Sequence, residues 1–154
     1  MSGNAPEITL PQLPNARVAI ISSSWHLDIC NDLVAGAERA LAAAAVKNVE
    51  VIYVPGSFEI PLASQIAFEK GIDAVVAVGL VLEGETPHFD YVCQGVTQGV
   101  MDVSLKFSAP IGFGVLMCNT LDQAIARSGR PGSSEDKGYD SAVAAIKLLQ
   151  LKEG

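Results

Sequence analysis

Five consecutive residues concentrate the chemistry of this chain: Gly84, Glu85, Thr86, Pro87 and His88. They follow an apolar run over 74–82 that is interrupted only by Gly79. A run without polar alternation reads as a strand buried on both faces. A long helical pattern begins at Phe89. The loop therefore stands at the carboxyl end of a buried strand and just ahead of a helix N-terminus. Ligands of open α/β sheets bind at that end. Free N–H groups at a helix start favour an anion such as phosphate, and the backbone from Gly84 to Thr86 can cradle one. A histidine in that place can move protons near neutral pH.

Three other loops add complementary groups. Ser23, Ser24, Trp25 and His26 follow the first strand pattern, Gly56, Ser57, Phe58 and Glu59 the second, and Cys118, Asn119 and Thr120 the fourth. Trp25 and Phe58 can sandwich a flat ring. Glu59 can bond to hydroxyls, and Arg127 can supply counter-charge to a phosphate. Each residue has a plainer reading as well. Trp25 then fills a gap beside the first helix, and Phe58 plugs the core at a helix start. Glu59 then favours the positive end of its helix, and Arg127 the negative end of another. His88 becomes a bystander of a helix cap, Lys137 a solvated loop charge, and His26 an exposed, inert side chain. Separate loops offering complementary chemistry on one sheet edge favour the functional reading. No GxGxxG follows the first strand and no GxxxxGK[ST] occurs, so dinucleotide and P-loop sites are excluded. No GxSxG occurs either. Ser22 to Ser24 resemble the hydroxyl-rich phosphate loop of a flavodoxin, but Trp-His follows where small residues are needed.

The elements that must position these loops are legible. Residues 17–22 (RVAIIS) predict a first strand. A helix is expected over 27–46, with Ile29, Leu33, Ala37, Leu41 and Ala44 at helical spacing. A strand over 49–54 follows, then a turn over 55–59. The next helix opens at Ile60-Pro61, with proline in its first turn, and stops at Gly71. After the strand over 74–82 comes a helix over 89–107, with an apolar face through Phe89, Val92, Cys93, Val96, Val100, Val103 and Phe107. Inside it Gly95 and Gly99 each cost about 1 kcal/mol relative to alanine, which predicts close packing of another backbone, such as a neighbouring subunit's. A strand over 111–117 precedes a capping box at Thr120 to Gln123. That helix ends at Ser128-Gly129, a turn-rich loop covers 130–137, and a last helix runs over 139–152. Strands alternating with helices predict one parallel sheet covered on both faces. Residues 1–16, with Pro6, Pro11 and Pro14, read as an arm. Its alternating piece from Glu7 to Leu10 can pair along a sheet edge; the alternative is a frayed tail. Residues 17–154 read as a single domain.

The composition is apolar: 49% hydrophobic and 18% charged, with a mean hydropathy of +0.34. No stretch approaches the roughly 20 apolar residues of a membrane helix. The surplus apolar surface predicts an oligomer. A net charge of −7 argues against nucleic-acid binding. The first residues lack the apolar core of a secretory signal. Cys30, Cys93 and Cys118 are odd in number and widely spaced, which predicts reduced thiols in a cytoplasmic protein. Cys93 is the nearest candidate nucleophile to His88, but its spacing along the helix points it elsewhere.

Several stretches resemble those of one family, the 6,7-dimethyl-8-ribityllumazine synthases. They are VPGSFEIPLA from Val54, GETPHFDYV from Gly84, FGVL from Phe113 and LDQAIARSG from Leu121, in family order and spacing. SSWHLDIC from Ser23 is similar to the first loop of actinobacterial members. The resemblance covers nearly the whole chain after Ala16. It implies a flavodoxin-like three-layer sandwich with a four-stranded parallel sheet. It implies a reaction too: 5-amino-6-(D-ribitylamino)uracil condenses with 3,4-dihydroxy-2-butanone 4-phosphate, phosphate leaves and the lumazine ring closes. The implied reaction uses no cofactor and no metal. By resemblance, Trp25 stacks on the pyrimidine ring. Ser57, Phe58 and Glu59 bind the ring and ribityl chain, and Leu80, Val81 and Leu82 line the ring pocket through their backbone. Glu85 and Thr86 hold phosphate through N–H groups, and His88 transfers protons. Phe113 comes from a neighbouring subunit's pocket wall, Arg127 binds phosphate across the interface, and Lys137 assists. The family's pentamer accounts for the surplus apolar surface. It sets the Gly95/Gly99 helix around a central channel and lets the arm join a neighbour's sheet.

Two departures stand out. Glu83 occupies a position where family members usually carry arginine, which predicts weakened phosphate affinity. The loop over 130–136 is longer than in icosahedral members and contains Pro131, which favours a bare pentamer over a 60-subunit shell. Two other function classes compete: a non-catalytic flavin or lumazine carrier, and a purely structural shell protein. His88 with Arg127 favours the enzyme, because a carrier needs neither a proton shuttle nor a phosphate clamp.

Overall fold

Side-chain alternation along the central strands builds two cores at once. In β1 (Arg17–Ser23), Val18 and Ile20 face one core while Ala19 and Ile21 face the other. In β3 (Ala74–Leu82), Ala74, Val76, Val78 and Leu80 face the first, and Val75 and Ala77 the second. The computed structural model describes residues 6–154. Four parallel strands make the sheet in the order β2-β1-β3-β4, with β2 spanning Asn48–Val54 and β4 Ile111–Cys118. β1 and β3 are central, which is why both read as continuous apolar runs. β2 lies at an edge and is half exposed. In register, Leu82 of β3 stands beside Cys118 of β4.

Helices cover both faces. α1 (Leu27–Ala43) and α5 (Lys137–Glu153) pack on the first core, joined by Ala124 of the short α4 (Leu121–Arg127). α2 (Ile60–Glu69) and α3 (His88–Phe107) pack on the second through Ile60, Phe68, Val96, Val100 and Val103. The result is a flavodoxin-like three-layer α/β sandwich. All loops leading from strand to helix open at the carboxyl edge, as parallel pairing requires.

The bounds of three helices shift on contact with the structure. α1 stops at Ala43, short of the expected 46. Ala45 is left-handed, with φ 56°, and the Ala45 and Val46 N–H groups bond back to the Ala42 and Leu41 carbonyls. This is a Schellman stop made without glycine, invisible within a run of alanines. α3 starts at His88 itself, one residue early, and α5 starts at Lys137, capped by the Asp136 side chain on the Tyr139 N–H. Within this chain Gly95 and Gly99 face side chains rather than another backbone. A side chain begun at Gly95 would stand 2.5 Å from the Phe58 ring, and one at Gly99 2.7 Å from Pro61. Within this chain the described arm residues from Pro6 to Leu13 pair with none of its own strands. The Leu13 N–H and the Gln12 side chain donate instead to the Ala44 and Ala43 carbonyls at the end of α1. Residues 1–5 of that arm lie outside the described residues.

Candidate active site

The first loop is fastened before it reaches the site. The Ser24 hydroxyl donates to the Val54 carbonyl at 2.8 Å, and the Cys30 thiol donates to the Trp25 carbonyl at 3.2 Å. His26 takes a left-handed conformation, φ 52°, to turn the chain into α1. This anchoring leaves the Trp25 side chain free: it is 68% exposed. The second loop forms a one-turn 3-10 helix, Ser57–Glu59. Glu59 accepts a hydrogen bond from the Gly56 N–H at 2.9 Å and so closes the turn. That turn lifts the Phe58 ring onto α3 above Gly95, where it stays 60% exposed.

Between these aromatic walls lies a cleft of about 780 Å³. Trp25, Ser57, Phe58, Glu59, Leu80, Val81, Leu82, Thr86 and His88 all line it. Its floor is the end of β3. There Gly79 admits the Ser23 and Ser57 hydroxyls, which would lie 2.5 and 2.9 Å from any side-chain carbon at that position. Ser57 is buried, and its hydroxyl has no hydrogen-bond partner among the described residues. Such a group costs roughly 1–3 kcal/mol while nothing pairs with it. Thr86 and His88 occupy the far rim, beside the N-terminus of α3. A side chain at Gly84 would meet nothing within 4 Å, so the backbone of that rim is open to an incoming group.

The remaining residues singled out from the sequence lie elsewhere on this chain. Glu85 is exposed and does not line the cleft. Phe113 is 41% exposed on β4, on the sheet face shared with Ile111 and Val115. Arg127 donates to the Gln123 carbonyl at 2.9 Å and lies 3.5 Å from Glu135. The Lys137 ammonium stands 3.0 Å from Glu135 and 3.9 Å from Asp140. Glu135 thus brings Arg127 and Lys137 together, away from their own chain's cleft. The acidic partner escaped the sequence reading, because nothing local ties Glu135 to a helix eight residues upstream.

His26, read from the sequence as inert, also lines the cleft, as do three residues the sequence did not assign to it: Phe89, Tyr91 and Val92. The last three stand on the first turns of α3, and their helical spacing from His88 was the available signal. Burial pushes the Cys30, Cys93 and Cys118 thiols up, so each stays protonated, and the thiolate is the nucleophile. No cluster of metal-ligating side chains occurs among the described residues, and no helix among them is long and apolar enough to cross a membrane.

A cleft with aromatic walls, a hydroxyl on its floor and a histidine at an anion-favouring rim suits a polar aromatic ring beside an anion. Comparison with known proteins agrees in kind. The profile described as 6,7-dimethyl-8-ribityllumazine synthase matches residues 15–153. A 6,7-dimethyl-8-ribityllumazine synthase of Streptomyces coelicolor is 49% identical over 147 residues, covering 95% of this chain and 91% of the relative. Those of Pseudarthrobacter chlorophenolicus and Kineococcus radiotolerans are 48% and 44% identical, covering 95% and 100% of this chain and 94% and 96% of the relatives. With the motifs at Gly56 and Gly84 forming one cleft, the chain belongs to the 6,7-dimethyl-8-ribityllumazine synthase family.

Proposed function

We infer that this chain condenses 5-amino-6-(D-ribitylamino)uracil with 3,4-dihydroxy-2-butanone 4-phosphate to 6,7-dimethyl-8-ribityllumazine, a step of riboflavin biosynthesis. The observation that carries the reading is the convergence of Trp25, Phe58, the unpaired Ser57 hydroxyl and His88 on one cleft, in a chain of this family. The pyrimidine ring stacks between the aromatic walls, and ring polar atoms and the ribityl chain meet Ser57 and Glu59. The backbone of Leu80, Val81 and Leu82 lines the ring pocket. The N–H groups of Glu85 and Thr86 take the phosphate at the positive end of α3.

His88 is the proton carrier. The amine attacks the ketone and water leaves as an imine forms. A proton is then lost from the phosphate-bearing substrate's carbon skeleton as phosphate departs. Each event needs a positioned acid or base. The departing phosphate needs fixed positive charge, assigned to Arg127 and Lys137 of a neighbouring subunit. Phe113 closes the pocket from that neighbour. Five copies complete five such sites, and the exposed apolar residues of α2 and α3 become their contacts. Residues 17–154 form the catalytic domain and 1–16 an arm toward a neighbour's sheet. The protein works in the cytoplasm, without cofactor or metal.

The test is phosphate release on mixing the purified protein with both substrates, against each alone. Release that requires both, with lumazine absorbance rising in step, is the expected result. No release together with tight riboflavin binding would replace the enzyme by a carrier.

A further inference from the structure

Two carboxylates line the cleft, Glu59 and Glu83. Glu59 closes its own turn through the Gly56 N–H. Glu83 stands at the root of the loop that carries Thr86 and His88, and two contacts hold it. Its N–H donates to the Cys118 carbonyl at 2.9 Å, which extends the β3–β4 ladder one residue past Leu82. Its carboxylate accepts a hydrogen bond from the Asn119 side-chain amide.

Asn119 is itself fixed. Its N–H donates to the Gln123 side-chain oxygen at 2.8 Å. The same oxygen accepts the Thr120 N–H at 3.3 Å, and the Thr120 hydroxyl accepts the Gln123 N–H at 3.3 Å. A reciprocal box of this kind makes the start of α4 a firm anchor. Between Glu83 and Pro87, whose carbonyl accepts the Asp90 N–H at the start of α3, the chain forms no hydrogen bond among the described residues: residues 84–86 are exposed, and nothing lies within 4 Å of where a Gly84 side chain would begin. Glu83 is the last fastened residue before the rim.

We propose that Glu83 is a positioning residue: through Asn119 it fastens the β3–α3 loop to the start of α4 and so sets where Thr86 and His88 stand. Its carboxylate does not touch substrate. This revises the expectation drawn from charge alone, in which Glu83 opposes a phosphate. A carboxylate occupied by an amide donor serves geometry first, and a charge-assisted bond is the stronger kind of tether. The proposal rests on the reading that this loop receives the phosphate.

The two roles separate by substitution. Glu83→Gln removes the charge and keeps an acceptor for Asn119. Glu83→Ala and Asn119→Ala each remove the tether. The expected result is a KM for the phosphate-bearing substrate raised roughly three- to tenfold in both alanine variants. The KM of the pyrimidine substrate stays within about twofold, Glu83→Gln returns close to the parent, and the double alanine variant is no worse than either single one, as partners in one contact require. Exchange of the Glu83 N–H, which donates to the Cys118 carbonyl, quickens in the alanine variants only. Tighter use of the phosphate substrate by Glu83→Gln, additive single effects, or unchanged exchange overturns the proposal. If the parent protein releases no phosphate from the two substrates, the functional reading fails, and amide exchange still decides the tether.

Discussion

On one face of the sheet, α1 and α5 meet so closely that a side chain at Gly138 would run into the Leu33 carbonyl. On the other face, Gly95 and Gly99 of α3 leave room for side chains, the Phe58 ring and Pro61. The same residue type therefore serves two ends. In the α1/α5 layer it lets backbones touch, and a backbone cannot step aside. In the α2/α3 layer it seats movable groups, one of which forms a wall of the cleft. Surface follows the same division. The α1/α5 layer, with α4, exposes the large apolar side chains Leu27, Leu121, Leu148 and Leu151. The α2/α3 layer exposes Leu62, Ile66, Tyr91, Met101 and Leu105 along its length. One layer is a finished scaffold. The other carries the Phe58 and His88 walls of the cleft and leaves its apolar side chains exposed.

Breaking the scaffold has the largest effect. Gly138→Ala drives a methyl group into the α1 backbone and costs about 3 kcal/mol, read as a lower thermal midpoint with activity lost only alongside the fold. His88→Ala does the reverse. It lowers kcat about a hundredfold and leaves the melting curve in place, because the residue is exposed. A matching loss of stability would move His88 into the scaffold. Leu105→Glu puts a charge on the uncovered layer. It weakens assembly by about 2 kcal/mol per contact, seen as smaller species in sedimentation, while Leu151→Glu on the other layer leaves the assembly intact. Ala45→Gly relieves the left-handed residue at the end of α1 and stabilises by about 1 kcal/mol, in denaturant titration. Gly95→Ala is the mildest. Helix propensity returns about 1 kcal/mol, which offsets the displaced Phe58 ring, so stability barely moves. The KM for the pyrimidine substrate rises about threefold, a cost of under 1 kcal/mol.

Much of this was written locally. The strand over 74–82 and the stop at Gly71 follow from apolar continuity and a glycine cap, and both stand where expected. The capping box at Thr120 does too. The end of α1 was hidden, since the stop is a backbone conformation adopted by an alanine among alanines. The partner of Gly95 was hidden for another reason: Phe58 is far away in sequence and meets α3 only through the turn at Ser57–Glu59. Trp25, Ser57, Phe58, Thr86 and His88 could be grouped in advance because each follows a strand of a parallel sheet. Glu135 as the shared partner of Arg127 and Lys137 could not.

The sequence by itself determined the layered α/β architecture, the edge at which the loops converge, and the family. Periodicity and caps are properties of neighbouring residues, and parallel strands leave their carboxyl ends on one side. Only the tertiary structure decided which groups face one another: the Phe58 ring over Gly95, the unpaired Ser57 hydroxyl beside Gly79, and Glu83 on Asn119. Those contacts join residues distant along the chain, so their geometry exists only once both helical layers have packed on the sheet.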